Sequence, residues 1–447
     1  MGVFMLDRLK TLMQEELLQR KYSTGPAEGQ QSIVARQPVF DRAGGIWGYE
    51  LLYRRPSNTE SADISSGTVA TANVIINGFE TVRPSLKDHQ KVLINFTSDL
   101  IETQVITLLP PENCIVEILE DVDPTPAVLD AVTAIKAAGY TIAVDDYIGQ
   151  ANLQPFLPMA DILKVDVLGM SPKEITSHVL RVRGDKLRCT LLAEKVEDLP
   201  MATLCRDLGF SLFQGYFFSK PEVVRGRKIS TSQAVRMHIL ALCVGDEVDF
   251  LAVSDAVLHD PIITARFLKF VNSAHFGLRK EVQTVHHALT LVGPVMFMQW
   301  LCVNVLATLE NSLVSHELAF LASQRAKFLE CLGKDLSLRK KLPQGITVSS
   351  LFLTGLFSLL ESVMRMPLKE ILDGVPLDGA VFTALTGGES PYSPWIALMD
   401  LYERGQWDES LVIARQLGLT ERSLTNAYSK ALDWSSIFFT SPKNRNI

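Results

Sequence analysis

The stretch Thr141-Ile-Ala-Val-Asp-Asp146 places two adjacent carboxylates directly after a short apolar run. β-Branched residues favour extended backbone, so this run predicts a strand that delivers Asp145 and Asp146 into a turn. Neighbouring carboxylates repel each other, and both stay ionised only beside a cation, beside a basic side chain or in open water. The pair therefore predicts a cation site, provided that other strands bring further ligands to the same place.

Other short apolar runs in the first half of the chain carry polar side chains as well. They are Tyr49-Glu50, Ile94-Asn95, Val116-Glu117, Ala193-Glu194 and the lysine-bearing Leu163-Lys164. Strand-like and helix-like segments alternate through this half, which predicts a mainly parallel sheet, either open or closed. In a closed (β/α) barrel, functional residues gather where the strands end. Carboxylate and amide oxygens in such a cluster are the ligands that Mg²⁺ or Mn²⁺ prefers, and a pair of these ions can promote phosphoryl displacement.

Composition narrows the class of protein. The chain has 447 residues, which predicts two or three domains, and a net charge of −7, which gives no overall basic field for direct binding of nucleic acid. The six cysteines include no CxxC pair, so we expect free thiols in a reducing compartment. We find neither a signal peptide nor an uncharged run of membrane-spanning length, and these observations together predict a cytoplasmic protein.

The order of patterns along the chain predicts four regions. Residues 1–31 contain an amphipathic helix and a linker, and the helix is a candidate for dimerisation. Residues 32–222 form the α/β part. Helical stripes fill residues 223–430, which predicts a separate all-α domain, and residues 431–447 are expected to be a tail.

Seven motifs with polar residues follow one another along the α/β part. The first motif is Gln37-Pro38 with Gly48-Tyr49-Glu50-Leu51-Leu52-Tyr53-Arg54. The later ones are Ile94-Asn95, Val116-Glu117-Ile118-Leu119-Glu120, Ala143-Val144-Asp145-Asp146-Tyr147, Leu163-Lys164-Val165-Asp166, Ala193-Glu194-Lys195-Val196-Glu197 and Gln214-Gly215-Tyr216. In this order they make the α/β part resemble the EAL domain, the phosphodiesterase of bacterial cyclic di-GMP, and the resemblance implies a TIM-like barrel.

The resemblance also implies residue roles. The first metal ion, Mg²⁺ or Mn²⁺, would be bound by Glu50, Asn95, Glu117 and Asp145. Asp145 would bridge to a second ion that Asp146 holds in part. Catalysis would involve Glu50, Lys164 and Glu194, with Lys164 acting on the attacking water. Gln214 would complete the shell, and Gln37 and Arg54 would contact the dinucleotide, for which the fork of an arginine is suited to phosphate.

One segment departs from the family pattern. Active members carry a Gly-rich, Ser-bearing loop after the two aspartates, whereas Tyr147-Ile-Gly-Gln-Ala-Asn-Leu-Gln-Pro-Phe156 keeps one glycine and no serine. In the family that loop links metal binding, substrate binding and dimerisation. A rewritten loop can therefore abolish turnover while every ligand is retained.

The helical half contains Asp260-Pro261, Phe267-Leu-Lys-Phe-Val-Asn-Ser-Ala274 with Phe276, and Val285 to Val292 closed by Gly293. These residues make it resemble the HDOD domain, a relative of HD phosphohydrolases that lacks their metal centre. His259-Asp260 has the form of a metal motif but lacks further ligands at HD-type spacing, and we interpret Asp260 as a helix N-cap. Asn272 and Ser273 are expected to bond to the backbone and shape a bend.

Three functions remain open at this point. The favoured one is a cyclic di-GMP signalling protein whose EAL barrel is weak or silent as an enzyme, binds divalent metal or cyclic di-GMP, and couples to a protein partner through the HDOD domain. The second is an active Mg²⁺- or Mn²⁺-dependent phosphodiesterase that gives linear pGpG. The third is an interaction scaffold that binds no nucleotide. Function is decided by the site and not by the fold, so the resemblance does not choose among them.

Overall fold

The computed structural model describes residues 34–54, 64–184, 187–215, 261–273, 276–278, 280–309, 313–372 and 375–439, with isolated positions between 233 and 253. The predicted N-terminal helix and linker, the His259-Asp260 pair and residues 216–232 lie outside these ranges. The chain divides into two compact units, one formed by the α/β region and the other by the helical region. The predicted boundary at residue 222 and the other predicted domain limits stay predictions.

The α/β unit is a closed barrel of eight strands in sequential order, which confirms the predicted fold class. The strands are β1 (Val34–Asp41), β2 (Ile46–Tyr53), β3 (Lys91–Phe96), β4 (Cys114–Ile118), β5 (Thr141–Val144), β6 (Ile162–Asp166), β7 (Thr190–Glu194) and β8 (Leu212–Phe213). Strands β2 to β8 are parallel, whereas β1 is antiparallel to both of its neighbours, β2 and β8. Polar residues at the C-terminal ends of the parallel strands therefore share one mouth of the barrel.

The first two strands form an antiparallel hairpin. Its turn is held by Asp41 Oδ1, which accepts hydrogen bonds from the amides of Ala43 at 2.8 Å and Gly45 at 2.9 Å. Such Asx-type bonding is typical of tight turns. Gly48 allows β2 to approach β3, because a Cβ at this position would lie 2.5 Å from the carbonyl oxygen of Lys91.

Helices connect the barrel strands. In the described residues they are α1 (Ile64–Val82), α2 (Ser98–Glu102), α3 (Pro126–Ala137), α4 (Pro172–Gly184) and α5 (Leu199–Asp207), with 3₁₀ turns at Arg83–Ser85, Val105–Leu108 and Gln154–Met159. Helix α3 begins at Pro126 with local signals at both of its ends. Its N-cap Thr125 accepts a hydrogen bond from the amide of Val128, and Gly139, at φ +93°, follows its end.

A layer of apolar side chains fills the barrel below the mouth. It consists of Val39, Leu93, Ile115, Ala143, Ile162, Leu192 and Leu212, and Trp47 packs against it. Because this layer blocks the barrel interior, the polar residues above it can be approached only from the mouth.

The second unit is all-helical in its described residues. The helices are α6 (Pro261–Val271), α7 (Val285–Val292), α8 (Pro294–Thr308), α9 (Leu313–Leu338), α10 (Val348–Phe357), α11 (Leu360–Met364), α12 (Leu368–Ile371), α13 (Gly379–Leu385), α14 (Ser393–Glu403), α15 (Trp407–Gln416) and α16 (Glu421–Phe439). Helix α16 continues beyond residue 431, where the tail was predicted to begin. Trp434 and Phe438 in this last part of the helix pack with the core of the unit.

The Asn272-Ser273 segment ends α6 in a bend. The Asn272 side chain accepts a hydrogen bond from the Val282 amide at 2.7 Å and donates one to the Val282 carbonyl at 2.8 Å, as predicted. The prediction for Ser273 is wrong for its side chain, whose buried hydroxyl has no hydrogen-bond partner among the described residues. The asparagine alone supplies both a donor and an acceptor to the backbone.

Among the described helices, no single one has the length and apolar character needed to cross a membrane. Helices α7 and α8 meet that test only as a pair, and they are bent by 112° at the break between them. Phe297 and Trp300 of α8 are buried in the core of the helical unit.

Candidate active site at the mouth of the barrel

A buried ammonium lies at the centre of the barrel mouth. The Lys164 side chain is 1% exposed, although it extends from a barrel strand. Its Nζ lies 2.8 Å from Glu194 Oε1, 3.0 Å from Asp145 Oδ1 and 3.4 Å from Glu50 Oε2, and it also pairs with Glu117 Oε1. The fold thus brings together five of the predicted site residues, from five different strands or strand ends.

Two amide side chains orient Glu50. Asn95 Nδ2 donates to Glu50 Oε1 at 3.1 Å, and Gln214 Nε2 donates to Glu50 Oε2 at 2.8 Å. Gln214 Nε2 also lies 2.7 Å from Gln37 Oε1. The Tyr53 hydroxyl donates to the backbone carbonyl of Asn95 at 2.7 Å, which ties the end of β3 to β2. These contacts hold the carboxylate of Glu50 in one orientation toward Lys164.

The cluster has more negative charge than its lysine neutralises. Burial, and then the neighbouring Glu50, raise the pKa of Glu117, although Lys164 opposes them. Burial also raises the pKa of Glu194 against the effect of Lys164. For Asp145 burial acts in the same direction, but the Lys164 ammonium outweighs it and the pKa is lowered. One ammonium therefore stabilises the charge of some carboxylates and leaves others inclined to take up protons.

Asp146 lies beside this cluster in an unusual backbone conformation. Its φ is +42°, in the left-handed region that few residues other than glycine adopt. Burial and the adjacent Asp145 raise its pKa. Carboxylate oxygens of Asp145, Asp146 and Glu120 lie within 4.8 Å of one another, close enough for all three to ligate one cation. The sequence motifs did not identify Glu120 as a ligand, although its position three residues after Glu117 is the signal that could have done so.

The residues fit a divalent cation. Several buried oxygens at the mouth have no hydrogen-bond donor among the described residues; they are Asn95 Oδ1, Glu117 Oε2, Asp146 Oδ1 and Gln214 Oε1. Buried acceptors without donors are costly in a folded protein unless a cation or water satisfies them. Oxygens from carboxylates and amides are also the donor set that hard divalent ions take.

Lys195 and Asp166 form a second charged contact at the mouth that the sequence reasoning missed. Lys195 Nζ lies 2.5 Å from Asp166 Oδ2, and its charge acts against the rise in the pKa of Asp146. Lys195 directly follows β7, which ends at Glu194, and Asp166 is the last residue of β6, which carries Lys164. Arg54 directly follows β2 and is half-buried. Its contact with a dinucleotide stays a prediction.

The loop that departs from the family pattern is ordered by its own side chains. Gln150 Nε2 donates to the carbonyl of Asp146 at 2.7 Å, and Gln150 Oε1 accepts from the amide of Ile148 at 2.7 Å. Asn152 Nδ2 donates to the carbonyl of Glu120 at 2.8 Å. Tyr147 is buried. Polar side chains of the loop therefore support the backbone of the residues that carry two of the three clustered carboxylates.

Comparison with known proteins finds relatives over most of the length of the chain. A model of the HDOD domain matches residues 229–320. The chain is 31% identical over 411 residues to the uncharacterised protein YuxH of Bacillus subtilis, covering 90% of this chain and 97% of that protein. It is 27% identical over 405 residues to CdgJ of Vibrio cholerae, a cyclic di-GMP phosphodiesterase, covering 90% of this chain and 92% of CdgJ. A crystal structure of a standalone EAL protein from Vibrio cholerae O395 with bound cyclic di-GMP matches with a TM-score of 0.35 and 23% identity, over 42% of this chain and 91% of that one.

Proposed function

We propose, from the premise that the chain belongs to the family of EAL–HDOD proteins that includes YuxH, that its barrel binds cyclic di-GMP with Mg²⁺ or Mn²⁺ and hydrolyses it to linear pGpG. The observation that carries this proposal is the cluster of carboxylates around the single buried ammonium of Lys164, with buried oxygens that lack donors among the described residues. Surplus acceptors at a barrel mouth suit a cationic cofactor and a phosphate substrate. The full-length similarity to CdgJ supports the substrate.

The proposed roles follow from the contacts. Glu50, Asn95, Glu117 and Asp145 would hold the ion, and the amides of Asn95 and Gln214 already orient Glu50. A bound divalent ion supplies charge to a phosphate oxygen and makes water a stronger nucleophile.

Other groups of the chain would position the reactants. Lys164, with its Nζ among carboxylates, keeps its proton, because Glu117 and its neighbours raise its pKa against the effect of burial. It would therefore orient water or phosphate by donating hydrogen bonds and not by accepting a proton. Gln37 and Arg54 would contact the dinucleotide, Arg54 through its planar fork.

Hydrolysis by the purified full chain with Mg²⁺ or Mn²⁺ tests the proposal, with linear pGpG separated by chromatography. Glu50→Ala should lower the rate by more than about a hundredfold, because loss of a ligand should cost more than the 10- to 100-fold typical of losing a residue that only supports a ligand. Glu112→Ala is the matched control, because Glu112 is exposed near the opposite end of β4 and should leave the rate unchanged. No hydrolysis by the unmodified chain with either ion would contradict the proposal.

A second candidate is a sensor that binds cyclic di-GMP without turnover. The observation that favours it is the rewritten loop from Tyr147 to Phe156, which the side chains of Gln150 and Asn152 brace in a conformation of its own. Calorimetry distinguishes the two functions. Saturable binding that is lost in Arg54→Ala, with no hydrolysis, would support the sensor; absence of binding would support a scaffold.

The HDOD match supports a further part of the proposal, that the helical domain binds a protein partner. We also propose a cytoplasmic homodimer that involves the amphipathic segment within residues 1–31. Light scattering should show a smaller particle when residues 1–22 are removed. An unchanged mass would contradict a role for that segment in dimerisation.

A further inference from the structure

Lys195 is held at the barrel mouth in a backbone conformation that disfavours a lysine. Its φ is +52°, in the left-handed region, where a Cβ is crowded by the backbone. The next residue, Val196, donates its amide to the carbonyl of Gln214 at 3.0 Å. A Cβ on Gly215 would lie 2.3 Å from the Val196 amide nitrogen, so the turn after β7 packs closely against the segment after β8. The close packing fixes where Lys195 leaves the backbone.

The ammonium of Lys195 has a fixed partner beside the carboxylate cluster. Its Nζ lies 2.5 Å from Asp166 Oδ2. The other oxygen of Asp166 accepts a hydrogen bond from the amide of Leu168 at 2.8 Å, which anchors the carboxylate. The lysine also interacts electrostatically with Asp146 and Glu194. Asp146 is one of the three clustered carboxylates, and Glu194 contacts Lys164, so Lys195 places positive charge beside the side of the mouth where a second ion would bind.

We propose that the Lys195 ammonium takes the place of a second divalent ion beside Asp146, so that the mouth holds one tightly bound ion among Glu50, Asn95, Glu117 and Asp145. This inference rests on the proposed function and specifies its metal content. A unit positive charge weakens the binding of a nearby divalent ion, and at a separation of about 4 Å the effect is about tenfold or more, even in surroundings that screen charge as water does. The half-exposed ammonium, 52% accessible, is also available to an anionic phosphate.

Manganese binding to the full-length protein tests the inference without an activity assay. Calorimetry and the electron paramagnetic resonance of free Mn²⁺ give the number of bound ions and the affinity of each. We expect one tightly bound ion in the unmodified chain. Lys195→Asn and Lys195→Gly remove the charge and use residues that accept a positive φ, so both should bind a second ion at least about tenfold more tightly than the unmodified chain does.

Two further variants make the test specific. Lys195→Arg keeps the charge and should still bind one ion tightly. Lys136→Asn removes an ammonium that pairs with Asp161 at 2.9 Å, away from the cluster, and should leave the stoichiometry unchanged. Two ions of comparable affinity in the unmodified chain, or one ion in every Lys195 variant, would overturn the inference and leave the proposed function standing. Failure of every protein to bind Mn²⁺ would overturn both.

Discussion

Each unit of the protein buries a charged cluster, and the two clusters are balanced differently. In the barrel, the Lys164 cluster sets one ammonium against the carboxylates of Glu50, Glu117, Asp145 and Glu194. In the helical unit, the Glu330 cluster sets one carboxylate, 3% exposed, against Lys327 and Lys334, each at 2.6 Å.

The difference lies in which charge remains unpaired. In the Glu330 cluster, Gln299 Nε2 also donates to Glu330 at 2.9 Å. The excess charge of this cluster is positive, and it includes the half-exposed Lys334, which water can solvate. The excess charge of the Lys164 cluster is buried and negative. A buried surplus of this kind is expected where a ligand completes the site, whereas a cluster balanced by its own chain and by water needs nothing more.

Removal of Lys164 is the most direct test of this difference between the two clusters. Lys164→Met leaves buried carboxylates without their cation and should lower the free energy of unfolding of the barrel by about 3–5 kcal/mol when metal is chelated. Added Mn²⁺ should restore part of that loss, because the ion neutralises the same oxygens. Hydrogen exchange of peptides from β4 to β7, with and without Mn²⁺, measures both effects.

Lys136→Met is the control for this experiment. Lys136 pairs with Asp161 at a site where both side chains are more than a third exposed, so its removal should cost under about 1 kcal/mol and show no response to metal. If Mn²⁺ stabilised Lys164→Met no more than this control, the Lys164 cluster would be structural, like the Glu330 cluster.

Glu330→Ala tests the other side of the comparison. It should destabilise the helical unit by about 2–3 kcal/mol, because it leaves Lys327 largely buried without a carboxylate, and Mn²⁺ should not change that value. Burial acts to raise the pKa of Glu330, but Lys327 and Lys334 outweigh it and the pKa is lowered. A lowered folded-state pKa gives stability above the unfolded-state pKa that is lost as the pH falls through the folded value.

The pH dependence provides the measurement for Glu330. The difference in unfolding free energy between the unmodified chain and Glu330→Ala should be full near neutral pH and shrink in acid. Hydrogen exchange of peptides from α8 and α9 reports on this unit separately from the barrel. A difference that did not change with pH would show that the variant loses packing and not an ion pair.

Two asparagines differ in the same way as the two clusters, and smaller effects are expected from them. Asn272 uses both ends of its amide on the backbone of Val282, so Asn272→Ala should cost the helical unit about 2 kcal/mol, roughly the value of two hydrogen bonds. Asn95 donates to Glu50 but leaves its buried Oδ1 without a donor among the described residues. Asn95→Ala should therefore cost less stability and lower Mn²⁺ affinity instead. Equal losses of stability, with unchanged metal affinity, would remove the distinction.

The sequence predicted much of this arrangement because strand ends obey simple rules. Glu117, Asp145 and Glu194 sit at or near the ends of parallel strands, and the closed barrel necessarily brings such ends together. The hairpin and the Asn272 bend were also predictable from local chemistry.

Features that depend on packing between distant segments could not be predicted in this way. The positive φ of Lys195 follows from contact between the turns after β7 and β8, which no local pattern encodes. The antiparallel pairing of β1 with β8 and the continuation of α16 beyond residue 430 depend likewise on contacts made only in the folded chain.

Metal binding should release protons from the Lys164 cluster, which distinguishes it from the Glu330 cluster. Each displaced proton changes the free energy of metal binding by about 1.4 kcal/mol for each pH unit. Burial, with neighbouring carboxylates, raises the pKa of Glu117 and Glu194, so both carboxyl groups stay protonated to higher pH in the metal-free protein. Metal must displace those protons, and Mn²⁺ affinity should rise with pH until they are lost. Calorimetry in two buffers of different ionisation enthalpy gives the number released. No release would contradict the raised pKa values.

The smallest expected effect concerns the loop that departs from the family pattern. Gln150→Ala removes the hydrogen bonds to the Asp146 carbonyl and from the Ile148 amide, and so releases the brace that holds Asp146 at its positive φ. In a Lys195→Asn background, where a second ion is expected to bind beside Asp146, we expect Gln150→Ala to cost about 1 kcal/mol in the binding of that second Mn²⁺, roughly fivefold in affinity, measured by calorimetry. Asn152→Ala is the matched control, because Asn152 bonds to the carbonyl of Glu120 and has no bond to Asp146. If the two variants lost the same affinity, the loop would act by general ordering; a loss confined to Gln150→Ala would mean that the rewritten loop still positions a carboxylate for the cation, and that its new sequence preserves the site.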